Sequence, residues 1–332
     1  MRLPSISIII LNFNGLKYVE KCLQSVMASD YSSFEVVFVD NNSIDGSAEY
    51  VGRKYGADPR FKLIRNAGNY GYSLGNNIGA EQSKGEYLIF LNVDTIVKSD
   101  WLRQLLAFLE VHPSVGIAQC KLRMMDALGA IDCAGHYVDW FGISFVRGHG
   151  EIDHGQYDIP EAVFGASGAA FCARRRVFQT LGGFDEDFFM LFEEDDLSWR
   201  AWLSGHSVFY VPQALVYHKG GAIRSGEGEY FNLYYSRRNR LVSMLKNYQT
   251  RNLLRFLPVG MALLFAMTFL TKNKVVYLRA YLSSLAWILS HAKQIVMKRR
   301  SVCALRTVTD DYLIANGVLR KPVITEMLRK GY

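Results

Sequence analysis

Three groups of side chains in this sequence have the types and spacing to do chemistry. The first is Asn92-Val93-Asp94, which follows the apolar run Tyr87-Leu88-Ile89-Phe90-Leu91. Residues two apart on an extended chain point to one face, so Asn92 and Asp94 can converge on one ligand. A carboxylate there suits a hard divalent cation, Mg2+ or Mn2+, holding a diphosphate. The second group is Glu193-Glu194-Asp195-Asp196. Acids at a helix start are favoured by the helix dipole. The apolar, aromatic run Phe188 to Phe192 just before them implies a partly buried cluster. Like charges in contact raise at least one pKa, which a general base near neutrality needs. The third is His218, at the end of an apolar segment, a candidate metal ligand or phosphate contact. Asp40 also ends an apolar run, where it can accept hydrogen bonds from a base or ribose. Arg237, Arg238 and Arg240 supply cations for a diphosphate.

The elements that position these groups follow from periodicity. Ile6–Leu11, Phe34–Val39, Phe61–Ile64 and Tyr87–Leu91 are short, nearly continuous apolar runs, the pattern of parallel strands buried on both faces. Apolar residues at helical spacing predict helices over Leu16–Met27 and Trp101–Glu110. Strand, helix and strand alternate, with carboxylates at strand ends, as in nucleotide-binding α/β halves. Gly71, Gly75 and Gly79 share one helical face, which permits close approach to a ligand or a strand. Residues 115–160 read as variable loops, with His136, His149 and His154 solvated. Beyond them, Gly165–Phe171 reads as a strand, Arg174–Arg176 as a helix start, and Ser207–Val211 and Ala214–Tyr217 as strands. The Gly-rich segment from Gly220 to Tyr230 reads as a mobile cover over the substrate.

Composition narrows the function classes. The net charge of the 332 residues is +7, but from Lys246 onward fifteen basic residues face three acidic ones, so the body is slightly acidic. That distribution argues against a nucleic-acid enzyme with a basic cleft and for a tail meeting an anionic surface. Five scattered cysteines with no Cys-x-x-Cys fit a reducing cytosol. The first apolar run, Ser5 to Leu11, is too short for a signal h-region followed by a cleavage site and is expected to be a strand. Phe256–Thr271 is apolar and bracketed by Arg251, Arg255, Lys272 and Lys274, but falls short of a bilayer span. Interfacial attachment to a membrane is the expectation, with a helical subdomain as the alternative.

Taken together, these blocks resemble inverting glycosyltransferases of family 2, nearest to the rhamnosyltransferase-like branch. The resemblance covers roughly residues 5 to 240. It implies the GT-A fold, an α/β architecture with a mixed, mainly parallel sheet and flanking helices, here with a C-terminal helical appendage. It implies a catalytic domain over 1–240, with a nucleotide-sugar half (1–114) and an acceptor half (115–240), followed by a basic, apolar helical region over 241–332. Asp40 then resembles the base contact. Asn69 and Asn77 match the block beside the donor, and Asn12, Asn92 and Arg237 complete the expected donor set. Asp94 resembles the main metal ligand and His218 completes the site. Glu194 falls at the position of the catalytic base, with Asp195 and Asp196 as neighbouring candidates. The sequence departs from the pattern at Asn92, where an acid is usual, and at Glu194, where Asp is usual.

The activity implied is metal-assisted transfer of a sugar, with inversion, from a dTDP- or UDP-linked donor to a cell-surface polysaccharide or lipid-linked glycan. L-rhamnose is the first sugar to consider, and the place is the cytoplasmic face of the cell membrane. Two rivals remain in view. One is a catalytically inactive sugar-nucleotide-binding or scaffold protein, for which Asn92 speaks. The other is a nucleotidyltransferase, which calls for a Gly-rich basic loop after the first strand. That loop is Asn12-Phe13-Asn14-Gly15.

Overall fold

The computed structural model describes residues 4–127, 129–220 and 228–322. The N-terminal half alternates strand and helix: β1 (Ile6–Asn12), α1 (Leu16–Met27), β2 (Phe34–Asp40), α2 (Ser47–Tyr55), β3 (Phe61–Arg65), α3 (Gly71–Glu81) and β4 (Tyr87–Asn92). Then come β5 (Thr95–Val97), α4 (Trp101–Val111), β6 (Val115–Met124), β7 (Ile131–Cys133), β8 (His136–Asp139), β9 (Ser144–Val146) and β10 (Glu161–Ala162). The next stretch is β11 (Ala170–Arg174), α5 (Arg175–Thr180), α6 (Glu193–Leu203) and β12 (Ser207–His218). The chain closes with α7 (Glu229–Asn247), α8 (Thr250–Leu270), α9 (Lys274–Ser290), α10 (Ala292–Leu305), α11 (Asp310–Ala315) and β13 (Leu319–Arg320).

One large sheet has the order β10-β12-β6-β11-β4-β1-β2-β3, with β5 on β12 and β7 on β6. Strands β1 to β4 are parallel neighbours, β11 runs against β4 and β6, and β12 runs parallel to β6. The long strands other than β11 therefore end along one edge, which gathers Asn12, Asp40, Asn92 and His218 there. Burial explains the apolar runs: Ile8, Ile9 and Ile10 are all fully covered, by helices on both faces. Helix α3 lies very close to the sheet. A methyl group on Gly79 would meet Ile9 Cγ2 at 2.5 Å, and one on Gly75 would meet Leu11 Cδ1 at 2.5 Å. The glycine stripe thus serves helix–sheet contact.

Three expectations need correction. Residues 115–160 are not mainly loop, because β6 is a ten-residue central strand. Its polar members are internally matched: Lys121 is 2.6 Å from both Asp153 and Asp158, and Gln119 accepts from the Ser167 amide. The two strands expected around Pro212 are one strand, β12, with a shift of register between Val211 and Leu215. A boundary at 240/241 falls inside α7, which runs without a break to Asn247.

The C-terminal region is built into the body. Strand β13 pairs with β8 through Leu319 and Val138. Trp199 of α6, Tyr248, Phe256 and Leu319 share one apolar cluster, and Tyr248 donates to the Trp140 carbonyl at 2.8 Å. Helix α8 spans 21 residues, longer than its uncharged core suggested, and its most apolar 18-residue stretch has a mean hydropathy of 2.0. By length and composition alone it is long enough to cross a membrane; little of it is buried.

Candidate active site

Two cavities open at the carboxyl edge of the sheet. The smaller, about 170 Å³, is lined by Leu11, Phe13, Asn41, Asn69, Asn92 and Glu193, among others. The larger, about 680 Å³, is lined by Asp132, His136, Asp195, Arg237, Arg240 and Leu264, among others. Ser167, Leu191, Glu194 and His218 line both. A group carried on Glu194 or His218 can therefore act on molecules held in either.

Glu194 is set there by the start of α6. Of the four acids in its first turn, Glu193, Asp195 and Asp196 are buried and Glu194 alone is half-exposed. Its Oε1 lies 3.4 Å from the Gly168 amide. The approach to α6 is strained: Phe189, Leu191 and Phe192 have φ of 61°, 70° and 75°, unusual for bulky residues. Asn239 of α7 holds the turn, its Nδ2 within 2.6–2.9 Å of the carbonyls of Phe188, Met190 and Leu191. The Tyr72 amide donates to the Phe189 carbonyl at 2.6 Å.

Asp196 does something different from its neighbour. It is fully buried, accepting from Arg200 Nε at 2.9 Å, Ser243 Oγ at 2.9 Å and Asn247 Nδ2 at 3.0 Å, with Lys246 at 3.2 Å. No acceptor hydroxyl can reach it, so Asp196 is removed as a candidate base. Lys246 and Lys298 also pair with Asp185. Burial alone raises a carboxyl pKa, but Lys246 and Lys298 hold Asp185, and Lys246 and Arg200 hold Asp196, below the usual range. Asp195 faces the larger cavity and receives His136 Nδ1 at 2.9 Å. His136 is thus buried and paired, not solvated. Burial disfavours its charged form, yet Asp195 pushes its pKa well up.

The candidate metal pair is Asp94 and His218. Strands β5 and β12 are antiparallel with Thr95 opposite His218, which brings the residue before Thr95 against the imidazole. His218 Nε2 is 3.3 Å from Asp94 Oδ1, and His218 Nδ1 is 2.7 Å from Asp132 Oδ2. Burial lowers the imidazole pKa, but the two carboxylates more than compensate and push it up to about 9. Asp94 Oδ1 is buried, and its polar neighbour among the described residues is the His218 imidazole. A buried carboxylate oxygen facing an imidazole that a second carboxylate orients fits a divalent ion, which would take the place of the proton on Nε2. Two protein ligands leave positions for diphosphate oxygens and water.

The remaining expected residues divide. Asn69 and Asn92 line the smaller cavity. Asp40 and Asn12 line neither cavity: Asn12 Nδ2 donates to Asp40 Oδ1 at 2.8 Å, and Asp40 Oδ2 accepts from the Ser43 amide at 2.9 Å. Both are turned inward to brace the loops after β1 and β2. Asn41, one residue on, faces the cavity instead and donates to the Gly71 carbonyl at 3.0 Å. Asn77 is also spent on structure, its amide exchanging two hydrogen bonds of 2.9 Å with Phe184. Arg237 lines the larger cavity and not the smaller. The expected cover over the substrate lies mostly at residues 221–227, outside the described residues.

Sequence reasoning missed Asn41, Asp132, His136 and Asn239. Asp132 carried one signal, a carboxylate between apolar Ile131 and Cys133. The other three had none at close range, because their partners are distant in sequence.

Comparison with known proteins adds a consistent result. Residues 7–181 match the family model described as Glycosyl transferase family 2. The O-antigen biosynthesis protein RfbC of Myxococcus xanthus is 28% identical over 68% of this chain and 18% of its own length. Another curated relative matches over 68% of this chain and 25% of itself, so this chain spans a quarter or less of both. Staphylococcus aureus TarS residues 1–349, solved with UDP-GlcNAc, superposes with a TM-score of 0.60 at 16% identity, covering 91% of this chain and 90% of that one. The mannosyltransferase PcManGT of Pyrobaculum calidifontis, solved with GDP-Man and Mn2+, gives 0.55 at 17% identity, covering 91% and 86%.

Proposed function

The chain belongs to glycosyl transferase family 2, and from that membership we propose that it moves a sugar from a nucleotide-diphosphate donor to an acceptor hydroxyl, with inversion. The observation that carries this is the position of Glu194 and His218 on the shared wall of two cavities. The donor occupies the smaller cavity, with the nucleotide against Asn41, Asn69 and Asn92. The acceptor enters the larger. Glu194 takes the proton from the acceptor hydroxyl, whose oxygen attacks the anomeric carbon as the bond to the diphosphate breaks. A single displacement inverts that carbon.

Asp94 and His218 are the residues to hold Mg2+ or Mn2+, a reading supported by the Mn2+ bound in the mannosyltransferase. Such an ion would neutralise charge on the departing diphosphate. His218 is oriented by Asp132, and Glu194 by the turn that Asn239 holds. L-rhamnose from dTDP or UDP is the first donor to try, with a cell-surface polysaccharide or lipid-linked glycan as acceptor; RfbC, an O-antigen biosynthesis protein, supports that direction. We place the protein at the cytoplasmic face of the membrane. Exposed Leu254, Phe265, Phe269 and Leu270 of α8, flanked by Arg251, Arg255, Lys272 and Lys274, make an apolar, basic surface for anionic lipid.

The test is calorimetric binding of dTDP, UDP and GDP, each with and without Mn2+. Tight, Mn2+-dependent binding of one nucleotide is the expected outcome. Binding of none would leave an inactive scaffold as the better account.

A further inference from the structure

Buried charges in proteins are matched by opposite charges, because desolvating an unmatched one costs several kcal/mol. Arg237 and Arg240 depart from that rule. Both belong to α7, both line the larger cavity, and they are only 4% and 7% exposed. Arg237 Nη1 donates to the Tyr277 carbonyl at 3.0 Å and to Thr268 Oγ1 at 3.4 Å, and the guanidinium lies over the Tyr277 ring at 4.9 Å. Arg240 Nε donates to the Phe141 carbonyl at 2.9 Å, and its Nη2 is buried without a partner. Among the described residues neither forms an ion pair with a carboxylate. Asp139 is the acid that acts on Arg240; its Oδ1 accepts from the amides of Phe141 and Ile143, and its Oδ2 makes no hydrogen bond to the guanidinium.

The two guanidiniums also act on each other. Burial, opposed by Asp139 and reinforced by Arg237, pushes the Arg240 pKa down to about 10. Burial lowers that of Arg237 too, with no carboxylate opposing it. Both stay charged at neutral pH. Asp126, Asp132 and Asp195 on the same wall pair with Lys219, His218 and His136, not with either guanidinium.

We propose that Arg237 and Arg240 form an anion subsite in the acceptor cavity, and that the acceptor carries a phosphate group. Guanidinium matches phosphate oxygens in both geometry and charge. This rests on the glycosyltransferase reading above and reassigns Arg237 from the donor's diphosphate to the acceptor. The same cavity has Ile143, Val146, Leu233 and Leu264 on its walls, suited to an apolar chain next to the phosphate. A lipid phosphate and a phosphodiester polymer share the recognised chemistry, and the experiment separates them.

The full chain is first saturated with whichever nucleotide binds it, plus Mn2+, so that the donor's diphosphate position is filled. It is then titrated by calorimetry with farnesyl phosphate, a glycerol-phosphate trimer, inorganic phosphate and, as a neutral control, farnesol. Saturable binding of farnesyl phosphate, at least tenfold tighter than farnesol, supports the subsite and assigns a lipid source. Binding of the trimer supports it and assigns a polymer. In Arg237→Gln the affinity for the bound phosphate probe falls at least tenfold, Arg237→Lys keeps the charge and loses less than Arg237→Gln, and nucleotide affinity is unchanged in both. No binding of either organic phosphate, equal binding of farnesol, or loss of nucleotide affinity in Arg237→Gln would each overturn the proposal. If Arg237→Gln does not fold, the comparison of farnesyl phosphate with farnesol on the unmutated chain decides it. Failure of nucleotide binding in the first step would instead count against the glycosyltransferase reading itself.

Discussion

Asp94 and His218 are 124 residues apart in sequence, yet the antiparallel pairing of Thr95 with His218 sets their side chains 3.3 Å from each other. The Lys219 amide, donating to the Asp94 carbonyl at 3.0 Å, ties the same corner from the other side. Because backbone pairing fixes the two side chains, the pair is ready before any ligand arrives. Substituting either residue, as Asp94→Asn or His218→Ala, is expected to reduce Mn2+-dependent nucleotide affinity at least tenfold. Asp132→Asn, which loosens the His218 ring without touching the ion, is expected to weaken metal affinity by about 10–100-fold. Titration of Mn2+ into the nucleotide-bound protein measures both. Unchanged affinity in all three variants would remove the metal from this corner.

Glu194→Gln keeps the size and position of the side chain and removes its basicity. Transfer is expected to fall by roughly 10²–10⁴-fold, the usual contribution of a general base. Nucleotide affinity is expected to stay within about twofold, since donor binding does not need the carboxylate charge. A Glu194→Gln protein with near-normal turnover would send the search for the base to Asp195.

Asp196→Asn is expected to fail in stability before it fails in chemistry. It leaves Lys246 and Arg200 short of a charge in a buried place, a change that costs about 3–5 kcal/mol. Thermal melting of Asp196→Asn and Glu194→Gln side by side separates the roles: the first melts well below the unmutated chain, the second close to it. Equal melting of the two would argue that Asp196 is not a structural anchor.

Acid unfolding tests the same anchor by another route. Lys246 and Lys298 overcome burial and hold the Asp185 carboxyl below its unfolded value, and Asp196 is held down likewise. The folded chain therefore binds these protons less readily than the unfolded chain. Their stabilisation is fully present above about pH 4, the unfolded value, and is lost as pH falls further toward the folded values. Melting temperatures from pH 7 to 2 are expected to be flat to about pH 4 and then to drop. Asp185→Asn is expected to melt lower at neutral pH and to lose less on acidification. A drop as steep in the variant as in the unmutated chain would assign the acid sensitivity elsewhere.

The α8 surface makes a direct prediction. The protein is expected to co-sediment with vesicles containing anionic phosphatidylserine and to be released by high salt, which screens the basic flanks. Phe269→Glu with Leu270→Glu is expected to abolish sedimentation and leave nucleotide binding intact. Equal sedimentation of the double variant would show that α8 is not the contact.

The legible parts of the fold were those whose neighbours did not matter. β1, β2 and β4 are almost continuously apolar and buried on both faces, so the sequence run is the strand. β6 was invisible because Gln119 and Lys121 look solvated until Ser167, Asp153 and Asp158 are brought to them. The site divided in the same way. The positions of Asp94, Glu194 and His218 at element ends could be read directly. The direction in which Asp40, Asn12 and Asn77 turn could not, since each points to a partner at least 28 residues away. His136 looked like a loop histidine for the same reason, its partner Asp195 lying 59 residues ahead.

The clamp around Asp185 and Asp196 also has a place in time. Its cations, Lys246 and Lys298, are translated after the acids they neutralise. Lys298 follows Asp196 by about a hundred residues, roughly 5–20 s at ordinary elongation rates of about 5–20 residues per second. Until it emerges from the ribosome, Asp185 and Asp187, on the approach to α6, lack that lysine. The nascent chain therefore completes its nucleotide-side strands early and the approach to its base-bearing helix late. Synthesis itself delays the assembled centre until the C-terminal helices have been made.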